Sequence, residues 1–304
     1  MDKLSYKDMV YIICTSAFHV FLAKDIERKL DDVHVVYIKK KSRISFFNFF
    51  KGVYYIVKCF CDRDAQVVVP HVFNPWFSVF VSVASKRSFF DDGIAYYYDA
   101  ITPRNFLTEL YVWISRRANP RFSRDDLGEK TYAEYLMTSE SVSFFCIYPD
   151  LIVDGCFNKV PLDPEGMAPD TPGAGSLIYL DSRKEMVSFF NPGKIVSFLR
   201  NEMLKNGKEI VYFKPHPSQR SQVSSLLEEE SWAVEVSQDY EEMLVDINVE
   251  ALYSIYSSAT ISTSIIYPNV KLCCLTTGEI DSRVGEVRAL FEREMVEFVY
   301  FDAD

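Results

Sequence analysis

The chain has 304 residues and a formal net charge of −10, with 33 Lys and Arg against 43 Asp and Glu. That length allows two domains with separate cores, and 48% hydrophobic with 25% charged residues is the balance of a globular protein, which excludes a disordered or fibrous chain. The acidic excess also argues against general nucleic-acid binding, because only local patches can offset repulsion from phosphates.

In chain order, residues 9–30 read as a strand, a small polar loop at Thr15 and Ser16, then a helix. VHVVYIKK predicts a second strand, and residues 66–70 a third, followed by an aromatic-rich helix. KRSFFDDG reads as a short strand running into an acidic turn. Residues 158–176 then hold four prolines and three glycines in nineteen positions with no apolar period, which predicts a linker. Beyond it the pattern resumes: a strand at SLIYL, a helix over 184–206, a strand at EIVYF, and a helix over 218–230. A strand at WAVEV, a helix over 239–250, strands at ALYSIYS and VKLCCL, and a helix over 281–297 complete it, with an acidic tail. Strands alternating with helices predict an α/β fold with parallel sheets covered on both faces. The expected domains are 1–157 and 177–304, and ligands of such sheets bind beyond the carboxyl ends of the strands.

The seven cysteines, Cys14, Cys59, Cys61, Cys146, Cys156, Cys273 and Cys274, form no CxxC pair and mostly sit among apolar residues. They read as reduced thiols of a cytoplasmic protein. The four histidines are scattered, so no zinc-type cluster is expected. No apolar run reaches the ~18 residues of a spanning helix, and the start lacks the pattern of a secretory leader. Residues 39–60 place Lys39, Lys40, Lys41 and Arg43 before a phenylalanine-rich stretch. This reads either as a basic turn before a core helix or as a peripheral contact with a membrane surface.

Three loops after strands carry groups suited to chemistry. In VYFKPHPSQR, Pro215 and Pro217 restrict the backbone around His216, Lys214 adds a charge, and Ser218 is placed to cap the following helix. An imidazole beside a cation and a helix N-terminus suits a departing phosphate; the alternative is a tight turn with an exposed histidine. Asp91, Asp92 and Gly93 end a buried strand, and one of two adjacent carboxylates can serve as a general base; the alternative is a solvated turn. In SIYSSATISTS, seven hydroxyl residues crowd eleven positions, which suits either a phosphate cradle or a plain helix cap. Asp62-Arg63-Asp64 is a weak match to metal-holding D-x-D, GAG at 173–175 is no dinucleotide fingerprint, and neither a P-loop nor a G-x-S-x-G motif is present.

Asp91-Asp92-Gly93, His216-Pro217 and Ser257-Ser258, in that order, resemble the motifs of the metal-independent bacterial sialyltransferases. The opening YIICTSAFHVFLA is similar to the first strand, loop and helix of their lipooligosaccharide and capsule members. The resemblance implies a GT-B fold, two Rossmann-like domains facing each other across a cleft. It implies CMP-sialic acid as donor, a sugar hydroxyl such as a terminal galactose as acceptor, and no cofactor or metal. Carried over, Asp92 is the base and His216 the group that protonates or hydrogen-bonds the leaving phosphate. Ser257, Ser258, Pro217, Asp91, Gly93, Thr15 and Ser16 stand on the donor side, with Lys214 added on electrostatic grounds. Some relatives place the catalytic aspartate nearer the histidine, so Asp181 is a rival base, and Asp91 can exchange roles with Asp92. Kdo transferases and glycerol-phosphate polymerases also carry a Lys-x-His-Pro, and a non-catalytic sugar- or nucleotide-binding partner in capsule assembly is a further alternative. The expected partners are donor and acceptor, not nucleic acid, with a homodimer left open.

Overall fold

The computed structural model describes residues 9–38, 46–62, 64–71, 74–91, 143–152, 158–164, 175–216, 220–238 and 240–301. The chain separates into two compact units, Met1–Pro164 and Glu165–Asp304.

In the first unit, strands β1 (Val10–Cys14), β2 (Val33–Tyr37), β3 (Gln66–Val69), β4 (Lys86–Phe90), β5 (Ser143–Cys146) and β6 (Asn158–Pro161) form one sheet. Their order is β2-β1-β3-β4-β5-β6, and every pairing is parallel. All five residues of β1 are buried, as a strand covered on both faces requires. Helix α1 (Ala17–Glu27) packs on β1 and β2, while α2 (Phe46–Cys61) and α3 (Pro75–Val83) close a core around Tyr11, Val67, Phe77, Phe89 and Phe144. Gly52 on α2 lets the Trp76 ring of α3 lie against the helix backbone, where any Cβ would collide with the ring.

In the second unit the strands are β7 (Ser176–Leu180), β8 (Val211–Lys214), β9 (Ala233–Glu235), β10 (Val249–Ser254), β11 (Lys271–Thr276) and β12 (Glu297–Tyr300). They are again all parallel, in the order β12-β11-β10-β7-β8-β9. The chain therefore winds outward from β7 to β9, crosses back, and winds outward again from β10 to β12. The helices are α4 (Lys184–Val187), α5 (Pro192–Lys205), α6 (Gln222–Glu228), α7 (Tyr240–Asp246), α8 (Ser258–Ile266), α9 (Gly278–Arg283) and α10 (Gly285–Arg293). Residues of α5 and α6 cover alternate strand positions Tyr179, Phe213 and Tyr253. The α/β class with parallel strands is as the sequence predicts.

Several elements differ from expectation. Asn158–Pro161, read as the start of the linker, is an edge strand paired with β5, and of the rest 165–174 lie outside the described residues. The helix expected over 184–206 is two, because Asn191 caps a new start by accepting from the Gly193 N–H, with Pro192 in the first turn. The helix predicted over 218–230 begins at Gln222, and its cap is Ser221, not Ser218, which lies outside the described residues. The single helix expected over 281–297 breaks at Val284, and the tail contains β12.

Candidate active site

The second sheet reverses its winding between β7 and β10, and the carboxyl ends of strands at such a point open into a crevice that holds ligands in α/β proteins. Three loops leave the sheet there: after β7 with Asp181 and Ser182, after β8 with His216, and after β10 with Ser257 and Ser258. Ser182 Oγ donates to the Ile255 carbonyl at 3.2 Å, tying the two central loops together.

Asp181, 6% exposed, organises this end. Its backbone N–H donates to the Lys214 carbonyl at 3.0 Å. Its carboxylate accepts from Ser182 N at 2.9 Å, Ser221 Oγ at 2.8 Å, Ser224 Oγ at 2.5 Å and Tyr179 Oη at 3.3 Å. Ser221 in turn accepts from the N–H groups of Val223 and Ser224 at the start of α6. Burial, with the Asp181 charge and hydrogen bond beside it, pushes the Tyr179 phenol well above its ordinary value. A carboxylate whose lone pairs are filled in this way holds the loop in place.

His216 lies between Pro215 and the segment 217–219, which is outside the described residues and includes Pro217. Its pKa is below the ordinary 6.5: burial and the Arg183 cation lower it, and the Asp181 and Glu185 charges only partly compensate. The ring is thus neutral at neutral pH and holds one N–H to donate. The Lys214 ammonium, at the same strand end, donates to the Gln238 carbonyl.

Ser257 caps α8, its Oγ accepting from the Ala259 N–H at 3.3 Å, while Ser258 in the first turn is exposed. The residue before them, Tyr256, has φ of 41°, the left-handed region that side chains with a Cβ seldom adopt. Its hydroxyl donates to Asp281 Oδ1 at 2.8 Å. Asp281 also accepts from Thr276 Oγ1 at 2.5 Å and Tyr300 Oη at 2.7 Å and pairs with the Arg288 guanidinium. Burial pushes the Asp281 carboxyl up, but these hydrogen bonds and the Arg288 charge outweigh it and hold the pKa below its ordinary value.

In the first unit the winding reverses between β1 and β3. Ser16 caps α1 by accepting from the His19 N–H at 3.1 Å, and the Thr15 N–H donates to His19 Nδ1 at 3.2 Å. Nδ1 is the acceptor in that contact. The His19 ring meets Phe90 edge-on at 5.4 Å, and His71, just after β3, meets Phe77 at 5.0 Å. Asp91 ends β4 fully buried, its Oδ2 accepting from the Ile147 N–H at 3.2 Å. Asp92 and Gly93 lie outside the described residues.

The structure therefore gathers Lys214, His216, Ser257 and Ser258 at one end of the second sheet, and Thr15, Ser16 and Asp91 at the carboxyl ends of the first. Arg183, His19 and His71 are not singled out by the sequence motifs. Each follows a strand by a few residues, the one signal that points to them. Among the described residues no three His, Cys, Asp or Glu side chains come together as a group that could hold a metal. In the D-x-D match, Asp62 Oδ1 accepts from the Asp64 N–H at 3.2 Å, a local turn.

Comparison with protein-family models gives no match, and comparison with curated protein sequences gives none either. Among solved structures the chain is similar to one described as the glycotransferase of kitacinnamycin. The identity is 8%, covering 96% of this chain and 86% of that chain, with a TM-score of 0.45.

Proposed function

We propose that the chain is a glycosyltransferase of the GT-B kind, inverting and independent of metal, which moves sialic acid from CMP-sialic acid to a sugar hydroxyl such as that of a terminal galactose. One observation carries the reading. His216, neutral and backed by Arg183, and the capped N-terminus of α8 with Ser257 and Ser258 leave strands that flank the same central β7. Strands two apart are roughly 10 Å from each other, so groups from both loops reach one phosphate.

Such a phosphate meets the Ser257–Ser258 hydroxyls at the start of α8, whose dipole favours negative charge. Its approach favours protonated His216, so the ring becomes the stronger donor when charge develops on the leaving group. In the displacement, the acceptor oxygen bonds to the anomeric carbon as the bond from that carbon to the phosphate oxygen breaks. The acceptor proton passes to Asp92, and CMP leaves hydrogen-bonded to His216. On this reading the first unit is the acceptor-side domain, with Thr15 and Ser16 kept on the donor side. The work would be done in the cytoplasm on surface glycans such as lipooligosaccharide, O-antigen or capsule.

The test is turnover of CMP-sialic acid with lactose in EDTA, following CMP and sialyl-lactose by mass spectrometry beside His216→Ala and Asp92→Ala. Product in EDTA that both variants lose is the expected result. CMP release without sialyl-lactose keeps the donor and changes the acceptor. Absence of release from CMP-sialic acid, with turnover of another cytidine-activated donor such as CMP-Kdo or CDP-glycerol, overturns the sialyl assignment.

A further inference from the structure

We infer that the outer face of α2 is a docking surface for an anionic membrane. A helix on the outside of a globular protein ordinarily turns polar groups to water. Helix α2 does the opposite. Its inner side is seated on the core through Gly52 and buried Cys59, with Tyr55 and Ile56 packed against that core. Its outer side exposes Phe50, Val53, Tyr54, Val57 and Phe60, the last of them 72% exposed. At 3.6 residues per turn these five positions fall within roughly a third of the helix circumference, a continuous stripe rather than scattered apolar residues. Lys51 and Lys58 border the stripe on one side, and the Lys58 ammonium lies 5.9 Å from the centre of the Tyr54 ring.

Charge selects the occupant. Helix α2 carries Lys51 and Lys58 and no carboxylate, in a chain whose net charge is −10. A second copy of the chain would bring like charges together at this face. An anionic lipid surface is attracted here and repelled by the acidic remainder, so it favours one orientation. Aromatic and aliphatic side chains on one face with lysines at its border are the pattern of helices that lie in the plane of the membrane interface. No described helix is long and apolar enough to cross a membrane, which fits a surface contact. Docking through this face does not depend on the proposed transferase activity.

The experiment is flotation of the whole chain with vesicles of phosphatidylcholine and phosphatidylglycerol, against phosphatidylcholine alone, over a salt series. The wild type is expected to float with the anionic vesicles, to be released by high salt, and to float poorly with the neutral ones. Phe50→Ser with Phe60→Ser, and separately Lys51→Glu with Lys58→Glu, are each expected to weaken vesicle binding about tenfold or more while the melting temperature stays that of the wild type. Wild-type protein that stays in the dense fraction overturns the inference, as does undiminished flotation of both variants. So does a concentration-dependent dimer that the same variants abolish in the absence of vesicle binding; the face then belongs to a second copy. Should a variant fold poorly, the wild-type salt series still decides between binding and its absence.

Discussion

The carboxylate of Asp181 accepts the hydroxyl of Ser221 at 2.8 Å, and the Asp181 N–H donates to Lys214 at 3.0 Å. One residue therefore grips both ends of the loop that presents His216. The prolines restrict the loop locally, and Asp181 fixes where it starts and stops.

Asp181→Asn removes acceptors from a buried cluster while keeping its shape, and is expected to cost about 1–3 kcal/mol of unfolding free energy. Urea unfolding reads this directly. The turnover of CMP-sialic acid should fall with it, and the shift of its pH profile separates positioning from base chemistry. A positioning residue leaves the acidic limb where it was, whereas a variant that folds as stably as wild type yet loses that limb makes Asp181 the base.

For His216, the lowered pKa means that the free protein holds the ring neutral down to below pH 6.5. An NMR titration of the ring C–H signals, assigned with His216→Ala, should place its midpoint under that value. Adding CMP should move the midpoint up, since a nearby phosphate favours the charged ring. The stability linkage has a definite sign. A histidine depressed in the folded state contributes in full above its unfolded pKa and loses that contribution as pH falls toward the folded one. Acid should therefore destabilise the wild type slightly more than His216→Ala between those two values.

Ser257 and Ser258 separate by role. Ser257→Ala loses the cap of α8 and is expected to cost about 1 kcal/mol of stability, together with nucleotide affinity. Ser258→Ala, at an exposed first-turn position, should change stability by no more than about 0.5 kcal/mol and still weaken CMP binding, measured by calorimetry. Equal and unchanged CMP affinity in both variants removes these hydroxyls from the donor site.

Thiol chemistry gives a further check. Burial pushes Cys59, Cys146, Cys273 and Cys274 up to about 12 and raises Cys14 as well, whereas Cys61 is exposed. In a Cys156→Ser background, a thiol reagent at neutral pH should label one site rapidly, and Cys61→Ser should abolish it. The other five should react only on unfolding.

Much of this architecture is legible in local chemistry. SLIYL coincides with β7, and KRSFF with β4, because short β-branched and aromatic runs between turn residues have few other uses. The apolar period over 184–206 hides the break at Asn191-Pro192, a start signal that a continuous pattern outweighs. β12 escapes a sequence reading because EFVY is brief, sits at an edge and follows a helical pattern without a strong break. Of the site, His216 and the serine pair are visible from their neighbours in sequence. The positioning role of Asp181 is not, since its meaning comes from Ser221 and Ser224, about forty residues away, and only the parallel pairing of β7 with β8 brings them within reach.

The left-handed backbone at Tyr256 has a thermodynamic consequence. Its ring is pinned to Asp281, which is itself held from β11, α10 and β12, so the turn before Ser257 has little freedom left to lose when an anion arrives. The ordering entropy of that turn is settled at folding, so binding of an anion there should carry a small entropic penalty. Loosening the anchor with Tyr256→Phe would then be felt as a larger entropic penalty on association, although no atom that touches the ligand has changed.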